Sequence, residues 1–282
     1  MRELAVGLIG RGDALESLTR AVRYRPGLCL VGQAEPGTPL PDAELLVCAG
    51  LNASERAAVA ALALAAGRRL ATPPLPVGDE RARRALASGS VVQASPLLGY
   101  AALRELAERV RWGELERRYG LFALHHLPRS AAAAVDDALA DLLHYALEAL
   151  ESPAVGVYAQ RSALFGNQAD AWHAILRLAD ETLVTLEVAA SLPAGWPEPE
   201  RLLVEATGSG AVLRAEPTRQ VVVASDRAGS TRAAPWMPDL AAGYLEAALA
   251  RLEQPDPARE LHYLEVLSAL WVAAAEHRAV PV

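Results

Sequence analysis

A pair of closely spaced glycines near the start of the chain is the first feature that could do chemistry. Gly10 ends the apolar run AVGLIG, and Gly12 precedes a stretch with helical periodicity, ALESLTRAV. Glycine permits a tight turn and a close approach of the backbone to a ligand. Free N–H groups and the dipole at the start of the helix favour an anion such as a pyrophosphate. The order strand, glycine turn, helix therefore predicts a dinucleotide site at Gly10, Arg11 and Gly12, against the simpler alternative of a βα turn without a ligand.

An acidic residue follows the second apolar run. Glu35 lies in GQAEPG, about 20 residues after the glycine turn, where an acidic side chain accepts hydrogen bonds from an adenosine ribose. This position favours NAD over NADP, whereas the alternative is a solvated acidic residue in a loop. The third glycine of the full dinucleotide fingerprint is replaced by Leu15, so the motif is partial.

Strand-like and helix-like segments alternate around these residues. The helix-like stretches include residues 14–24 and 54–66, and another follows at about 101–112. Such alternation predicts right-handed βαβ units and a parallel sheet. The strand-like runs are AVGLIG, LCLVGQA, ELLVCAG, RRLAT and SVVQAS.

The second half of the chain has the pattern of an antiparallel sheet with one covered face. Val184, Leu186 and Val188 alternate with Thr185 and Glu187, which is the period of a half-buried strand. A helix, AAAAVDDALADLLHYALEALE, precedes Pro153, and two more helices begin near Asp239 and Ala258. Further strands are predicted at RYGLFAL, GVYAQRS, RLLVEAT, GAVLRAE and QVVVASD.

Composition excludes some classes of partner. The chain has 34 acidic and 27 basic residues and a net charge of −7, which argues against nucleic acid and anionic membranes. The N-terminal segment lacks the apolar stretch of a signal peptide, and the apolar run 57–66 is shorter than a membrane span. We therefore expect a cytoplasmic protein that binds a small molecule.

Metal and disulfide chemistry are not expected. Cys29 and Cys48 each lie in an apolar strand-like run, where a thiol behaves as a small hydrophobe. His125 and His126 are adjacent in a strand, so they point to opposite faces and cannot chelate together. A further group of three carboxylates and one histidine is more typical of a solvated helix face than of a metal site. That group consists of Asp136, Asp137, Asp141 and His144.

The order of segments resembles the Gfo/Idh/MocA oxidoreductase family over nearly the whole chain. The resemblance is carried by PGLCLVGQAEPG, by ELLVCAGLNASERAAVAALALAAGRRL, and by the tail LEVLSALWVAAAEH followed by RAVPV. It implies an α/β fold with an N-terminal Rossmann domain, a doubly wound parallel sheet, in residues 1–115. Residues 116–282 are then a C-terminal α/β domain with a large open, mostly antiparallel sheet, and the last helix could pack back on the first domain.

The resemblance also implies an activity and a set of cofactor contacts. Members of that family transfer a hydride between a nicotinamide ring and a sugar or related alcohol. Besides the glycine turn and Glu35, it places Ala49, Asn52 and Thr72 in or beside the cofactor-facing loops. NAD is the expected cofactor, with NADP less favoured, and absence of any cofactor is the remaining alternative.

Two catalytic motifs of the family have changed. The EKP motif is replaced by Thr72, Pro73 and Pro74, and proline at the lysine position has no ionisable group to move a proton. In the second motif, LADLLHYALE, His144 matches the family's histidine, but Ala140 stands at the aspartate position. Asp141 is about 100° further around the helix. His144 is the remaining candidate catalytic residue, and its alternative is a packed histidine.

Two functions remain open from the sequence. One is an NAD-dependent oxidoreductase with altered or reduced dehydrogenase activity on a sugar- or polyol-like substrate. The other is a catalytically inactive sensor or scaffold subunit that binds a nucleotide or another ligand. Either should form a homodimer or homotetramer through the C-terminal sheet, because helices of the same chain are expected to cover only one of its faces.

Overall fold

The parallel sheet expected in the first part of the chain is present. The computed structural model describes residues 3–235 and 239–282. Within them, the sheet consists of β1 (Leu4–Gly10), β2 (Leu28–Ala34), β3 (Leu45–Ala49), β4 (Arg69–Thr72) and β5 (Val91–Gln93). All pairings are parallel, in the order β2-β1-β3-β4-β5.

Helices cover both faces of this sheet. The helices of the described residues are, in chain order, α1 (Gly12–Tyr24), α2 (Ala53–Ala65), α3 (Glu80–Ala87), α4 (Ala101–Arg111), α5 (Val135–Leu150), α6 (Leu240–Glu253) and α7 (Pro257–Glu276), of which α1, α2, α3 and α6 pack on this sheet. One core contains Leu18 of α1 and Leu245 of α6 against β1 and β3. The other contains Val59 of α2 and Leu86 of α3. The sheet is therefore doubly wound, as predicted.

The connection from β2 to β3 has no helix. Residues 35–44 cross over β1 as a strap, and a Cβ added at Gly7 or Gly32 would lie 2.8 or 3.1 Å from the Cβ of Pro41. The strap can therefore lie directly on the sheet because these two positions have no side chain. β2 is consequently an edge strand, and its Val31 is 46% exposed.

The two cysteines differ in their surroundings. Cys48 is buried, as suits a thiol that behaves as a small hydrophobe, and burial raises the pKa of its thiol to about 12 despite the charge of Arg56. Cys29 does not behave as the small hydrophobe expected from its apolar run, because it lies exposed on the edge strand β2. Both are free thiols.

The second sheet is large and mostly antiparallel. Its order is β13-β12-β11-β10-β6-β9-β8-β7-β14, and β6 with β9 is its parallel pair. α5 packs on β6 and β9, and Val184 and Leu186 of β9 are fully buried while Thr185 is half-buried. The strands are β6 (Arg118–Pro128), β7 (Ala154–Ser162), β8 (Ala171–Leu178), β9 (Leu183–Leu192), β10 (Arg201–Gly208), β11 (Val212–Glu216), β12 (Val221–Asp226), β13 (Gly229–Ala233) and β14 (Val280–Pro281). The predicted fold class is confirmed.

The chain divides into two compact units that each combine distant segments. The first unit takes the described residues within 1–99 and 237–264, and the second takes those within 100–236 and 265–282. The domain boundary at residues 115 and 116 stays a prediction. Across the described ranges, helices are all too short or too polar to cross a membrane.

Candidate functional site

The glycine turn of the first unit has the backbone that the motif predicts. β1 ends at Gly10 and α1 begins at Gly12, whose φ is +57°. A Cβ added at Gly12 would meet no atom within 4 Å, so the space above the turn is open. A Cβ at Gly10 would lie 2.1 Å from the carbonyl oxygen of Ala49. Gly10 therefore allows β1 and β3 to approach, and Gly12 makes the turn.

The N-terminus of α1 leaves its amide groups available. The N-cap residue Arg11 is extended and forms no side-chain capping hydrogen bond within the described structure, so N–H groups of the first turn are open to an anion. Asp13 lies exposed in the same turn. Its carboxylate interacts favourably with the helix dipole when no ligand is bound and opposes a phosphate.

The loop after β3 meets this turn at the point where the strand order reverses. A Cβ at Gly50 would lie 2.6 Å from the carbonyl oxygen of Arg11. The Arg11 guanidinium forms an ion pair of 2.5 Å with Glu55. Such a switch point is where ligands bind to open parallel sheets, and the structure brings Gly10, Arg11 and Ala49 together there.

Asn52 is held by the helix that it begins. Its side-chain oxygen accepts a hydrogen bond of 3.0 Å from the Glu55 amide, and the Asn52 amide donates one of 3.1 Å to the Glu55 carboxylate. This capping box fixes the start of α2. The side-chain oxygen and the backbone amide of Asn52 are therefore already bonded. The side-chain nitrogen, Nδ2, is the group left for a ligand.

Glu35 directly follows β2 and is exposed. Its carbonyl oxygen accepts hydrogen bonds from the Thr38 amide at 3.1 Å and the Thr38 hydroxyl at 2.7 Å. The turn thus fixes the backbone of Glu35 and leaves its carboxylate in solvent. This is the arrangement that hydrogen bonding to a ribose requires.

The end of β4 and the segment that follows it are buried and contain no ionisable side chain. Thr72 is fully buried, and Pro73 and Pro74 are buried as well. The amide of the following Leu75 donates a hydrogen bond of 2.7 Å to the side chain of Gln93. The residues present therefore fit the adenosine and pyrophosphate parts of a dinucleotide, through the open glycine turn and Glu35, but offer no proton-transferring group after β4.

His144 belongs to the second unit. It lies in the middle of α5 and is 1% exposed. The adjacent Leu143 and Tyr145 are buried too, whereas Asp141 is half-buried. The catalytic role of His144 stays a prediction.

A polar cluster in the second unit was missed by sequence reasoning. His125 of β6 is 6% exposed, and its Nε2 lies 2.6 Å from an oxygen of Glu200. The hydroxyl of Tyr100 donates a hydrogen bond to the other oxygen of Glu200. We call these three residues the His125 cluster. Local sequence gives no signal for it, because Tyr100 and Glu200 are far from His125 along the chain.

The neighbouring histidine is separate from this cluster. His126 Nε2 lies 2.9 Å from Glu187, on the other face of β6. Groups of three or more His, Cys, Asp or Glu side chains that could hold a metal ion are absent from residues 3–235 and 239–282.

Asp136 is more than a solvated acidic residue. It accepts a hydrogen bond of 2.7 Å from the Trp172 indole and one of 2.8 Å from Arg161. The Arg161 guanidinium lies 4.6 Å from the ring centre of Trp271, and the two indoles pack edge to face at 5.0 Å. The carboxylate of Asp136 therefore holds an aromatic and cationic group together within the second unit.

Comparison with known proteins relates the fold to solved dehydrogenases. No protein-family model and no curated protein matches the sequence. A myo-inositol dehydrogenase from Corynebacterium glutamicum is 18% identical, with a TM-score of 0.76 over 99% of each chain. An oxidoreductase from Agrobacterium radiobacter in complex with NAD+, L-tartaric acid and magnesium is 13% identical, with a TM-score of 0.79 over 99% of this chain and 98% of that one. An oxidoreductase from Sinorhizobium meliloti is 13% identical, with a TM-score of 0.80 over 99% of this chain and 100% of that one. At these identities the likeness shows the fold.

Proposed function

We propose that this chain is a member of the Gfo/Idh/MocA family that binds NAD and has altered or reduced dehydrogenase activity on a sugar- or polyol-like substrate. The observation that carries the proposal is the uncapped N-terminus of α1 behind an open Gly12 turn, with the exposed Glu35 at the end of the neighbouring strand. The shared fold with solved oxidoreductases supports it.

In this proposal the described residues of the first unit hold the dinucleotide. The first-turn amides of α1 and the Gly12 backbone bind the pyrophosphate, and Glu35 binds the adenosine ribose. Arg11, paired with Glu55, adds a positive charge beside the pyrophosphate. Ala49, Asn52 and Thr72 complete the set of proposed cofactor contacts.

The proposed activity is altered because the usual proton-transferring residues are gone. Bound NAD supplies hydride-transfer chemistry, and the protein supplies orientation and electrostatics. Thr72, Pro73 and Pro74 cannot polarise an alcohol oxygen through an ammonium group. A proton must therefore go to another group, and His144 is the candidate that the family motif offers.

The nucleotide site can be tested by thermal unfolding with NAD, NADH, NADP and NADPH. A ligand that binds only the folded state raises its stability with concentration, by about 2.7 kcal/mol at 100 times the dissociation constant. We expect NAD and NADH to raise the melting temperature and the two phosphorylated forms to raise it less. Failure of all four to raise it would reject the nucleotide site and, with it, the enzyme.

A second function, an inactive sensor or scaffold, is favoured by one observation. The whole segment from Thr72 to Leu75 is buried and has no titratable group. NADH-dependent stabilisation without turnover of any compound in a panel of sugars and polyols would support this function. Turnover with any member of the panel would favour the enzyme.

The second sheet offers a surface for self-association. Its face away from α5 carries half-buried apolar side chains, including Phe122, Ile175 and Leu203. We propose that a second copy of the chain covers this face, giving a cytoplasmic homodimer or homotetramer. Light scattering at micromolar concentration should give two or four times the 29.8 kDa chain mass, and a monomeric mass would contradict this.

A further inference from the structure

The carboxylate of Glu55 joins the loop after β1 to the start of α2. One of its oxygens lies 2.5 Å from the Arg11 guanidinium, and the other accepts a hydrogen bond of 3.1 Å from the Asn52 amide. Arg11 is the N-cap residue of α1, and Asn52 is the N-cap residue of α2. The strands before them, β1 and β3, pair side by side up to Gly10 and Ala49. The ion pair of Arg11 and Glu55 therefore lies at the proposed pyrophosphate site.

The two members of this ion pair are held unequally. Arg11 lies at the N-terminus of α1, where the helix dipole disfavours a cation, and its side chain is 53% exposed. Glu55 lies in the first turn of α2, where the dipole favours a carboxylate, and its side chain is 21% exposed. The hydrogen bond from Asn52 also holds the carboxylate without help from Arg11. Arg11 is therefore the partner that can move away.

Arg11 gains a second possible partner if a pyrophosphate lies on the first turn of α1. Its guanidinium suits phosphate oxygens, which it can bind through two parallel N–H groups. The space above the adjacent Gly12 is open, so the Arg11 side chain can turn towards a ligand there without a change in the backbone. A carboxylate that already binds the guanidinium competes with the phosphate for it.

We propose that Glu55 restrains dinucleotide binding by holding Arg11, which must leave the carboxylate in order to bind the pyrophosphate. Glu55 is then a positioning residue that sets the affinity through Arg11. This inference rests on the proposed function, because it assumes that the dinucleotide binds at the glycine turn.

The test measures the dissociation constant of NADH by titration calorimetry, with the full chain as wild type and as Glu55→Gln. Glutamine can keep the capping box with Asn52 but lacks the charge that pairs with Arg11. Exposed ion pairs change an equilibrium by about fivefold at most, so we expect Glu55→Gln to bind NADH about three- to fivefold more tightly. A merely structural role predicts the opposite, because a disturbed start of α2 would weaken binding.

Arg11→Gln shows whether the effect passes through Arg11. This variant should bind NADH more weakly than the wild type, and adding Glu55→Gln to it should change the affinity by less than about twofold. Asp13→Asn is the matched control. It removes the same charge from the first turn of α1, whereas the ion pair with Arg11 belongs to Glu55. Its effect on the affinity should therefore be the same with and without Arg11.

The outcomes separate this inference from the proposed function. Unchanged or weaker NADH binding by Glu55→Gln overturns the restraint and leaves the nucleotide site in place. A gain that persists in full in the Arg11→Gln background overturns it too, since Glu55 would then act directly on the phosphate. If neither the wild type nor any variant binds NADH, the nucleotide site itself is rejected. Melting temperatures of the single variants within about 2 °C of the wild type would confirm that each is folded.

Discussion

Replacing Gly12 by valine is expected to abolish the proposed stabilisation of this protein by NAD while leaving the chain folded. The φ of +57° at Gly12 lies in the left-handed region, which a β-branched residue rarely adopts. The added side chain meets no neighbouring atom, so the cost is backbone strain of about 1–2 kcal/mol rather than a clash. The turn must relax, and the first-turn amides of α1 then lose their alignment with a pyrophosphate.

Gly67→Val is the matched control. Gly67 has a φ of +63° and also has no atom within 4 Å of an added Cβ, but it lies between α2 and β4, at the amino-terminal edge of the sheet. Melting temperatures of the two variants should fall by similar amounts without ligand. With increasing NAD, the wild type and Gly67→Val should gain stability and Gly12→Val should not. An undiminished gain in Gly12→Val would remove the glycine turn from the proposed site.

The layout of both sheets could be predicted because it depends on local patterns. Alternating strand-like and helix-like segments fix a parallel sheet with crossovers, and the burial of Val184 and Leu186 beside Thr185 follows directly from period-two alternation. The glycine turn was also recognisable, since it depends on residue type and order. These features need no knowledge of distant contacts.

The exposed Cys29 shows where local patterns fail. Its apolar neighbours predict burial, but β2 is an edge strand because a strap without a helix connects it to β3. That strap depends on Pro41 packing over Gly7 and Gly32, a contact between distant positions. The residues of the run LCLVGQA alone do not predict this contact.

Polar networks between residues that are distant in the sequence could not be predicted from it either. Asp136 was expected to be solvated, yet Trp172 and Arg161 bind it from strands that follow in the sequence. The partners of His125 lie 25 residues before it and 75 after it. Motif spacing identifies functional residues that are close together in the sequence. The absence of the lysine at Pro73 could therefore be recognised from the sequence, whereas the His125 cluster could not.

Glu260→Ala is expected to lower the free energy of unfolding by about 3–5 kcal/mol. The side chain of Glu260 is 1% exposed and accepts hydrogen bonds from Arg251 at 2.6 Å, and from the amide and side chain of Gln93 at 3.0 and 3.1 Å. Alanine would remove the carboxylate partner of a buried guanidinium and leave Gln93 donors without an acceptor. Because Gln93 also holds the Leu75 amide, the segment after β4 should loosen as well. Urea denaturation measures the change.

Glu80→Ala supplies the control, because Glu80 and Arg84 form a pair whose side chains are 66% and 69% exposed. Its loss should cost about 0.5 kcal/mol or less, and a similarly small loss in Glu260→Ala would show that the buried network does not stabilise the fold.

The pH dependence of Glu260 gives a second, independent measure of the same network. Burial raises the pKa of its carboxyl above the ordinary 4.5, outweighing Arg251 and Gln93. A raised folded-state pKa means that the folded protein binds more protons than the unfolded chain. The contribution of Glu260 is therefore complete below about pH 4.5 and is lost as the pH rises through the folded-state pKa. The stability of the wild type relative to Glu260→Gln should thus decrease from acidic towards neutral pH; an increase would mean that the ion pair with Arg251 outweighs burial.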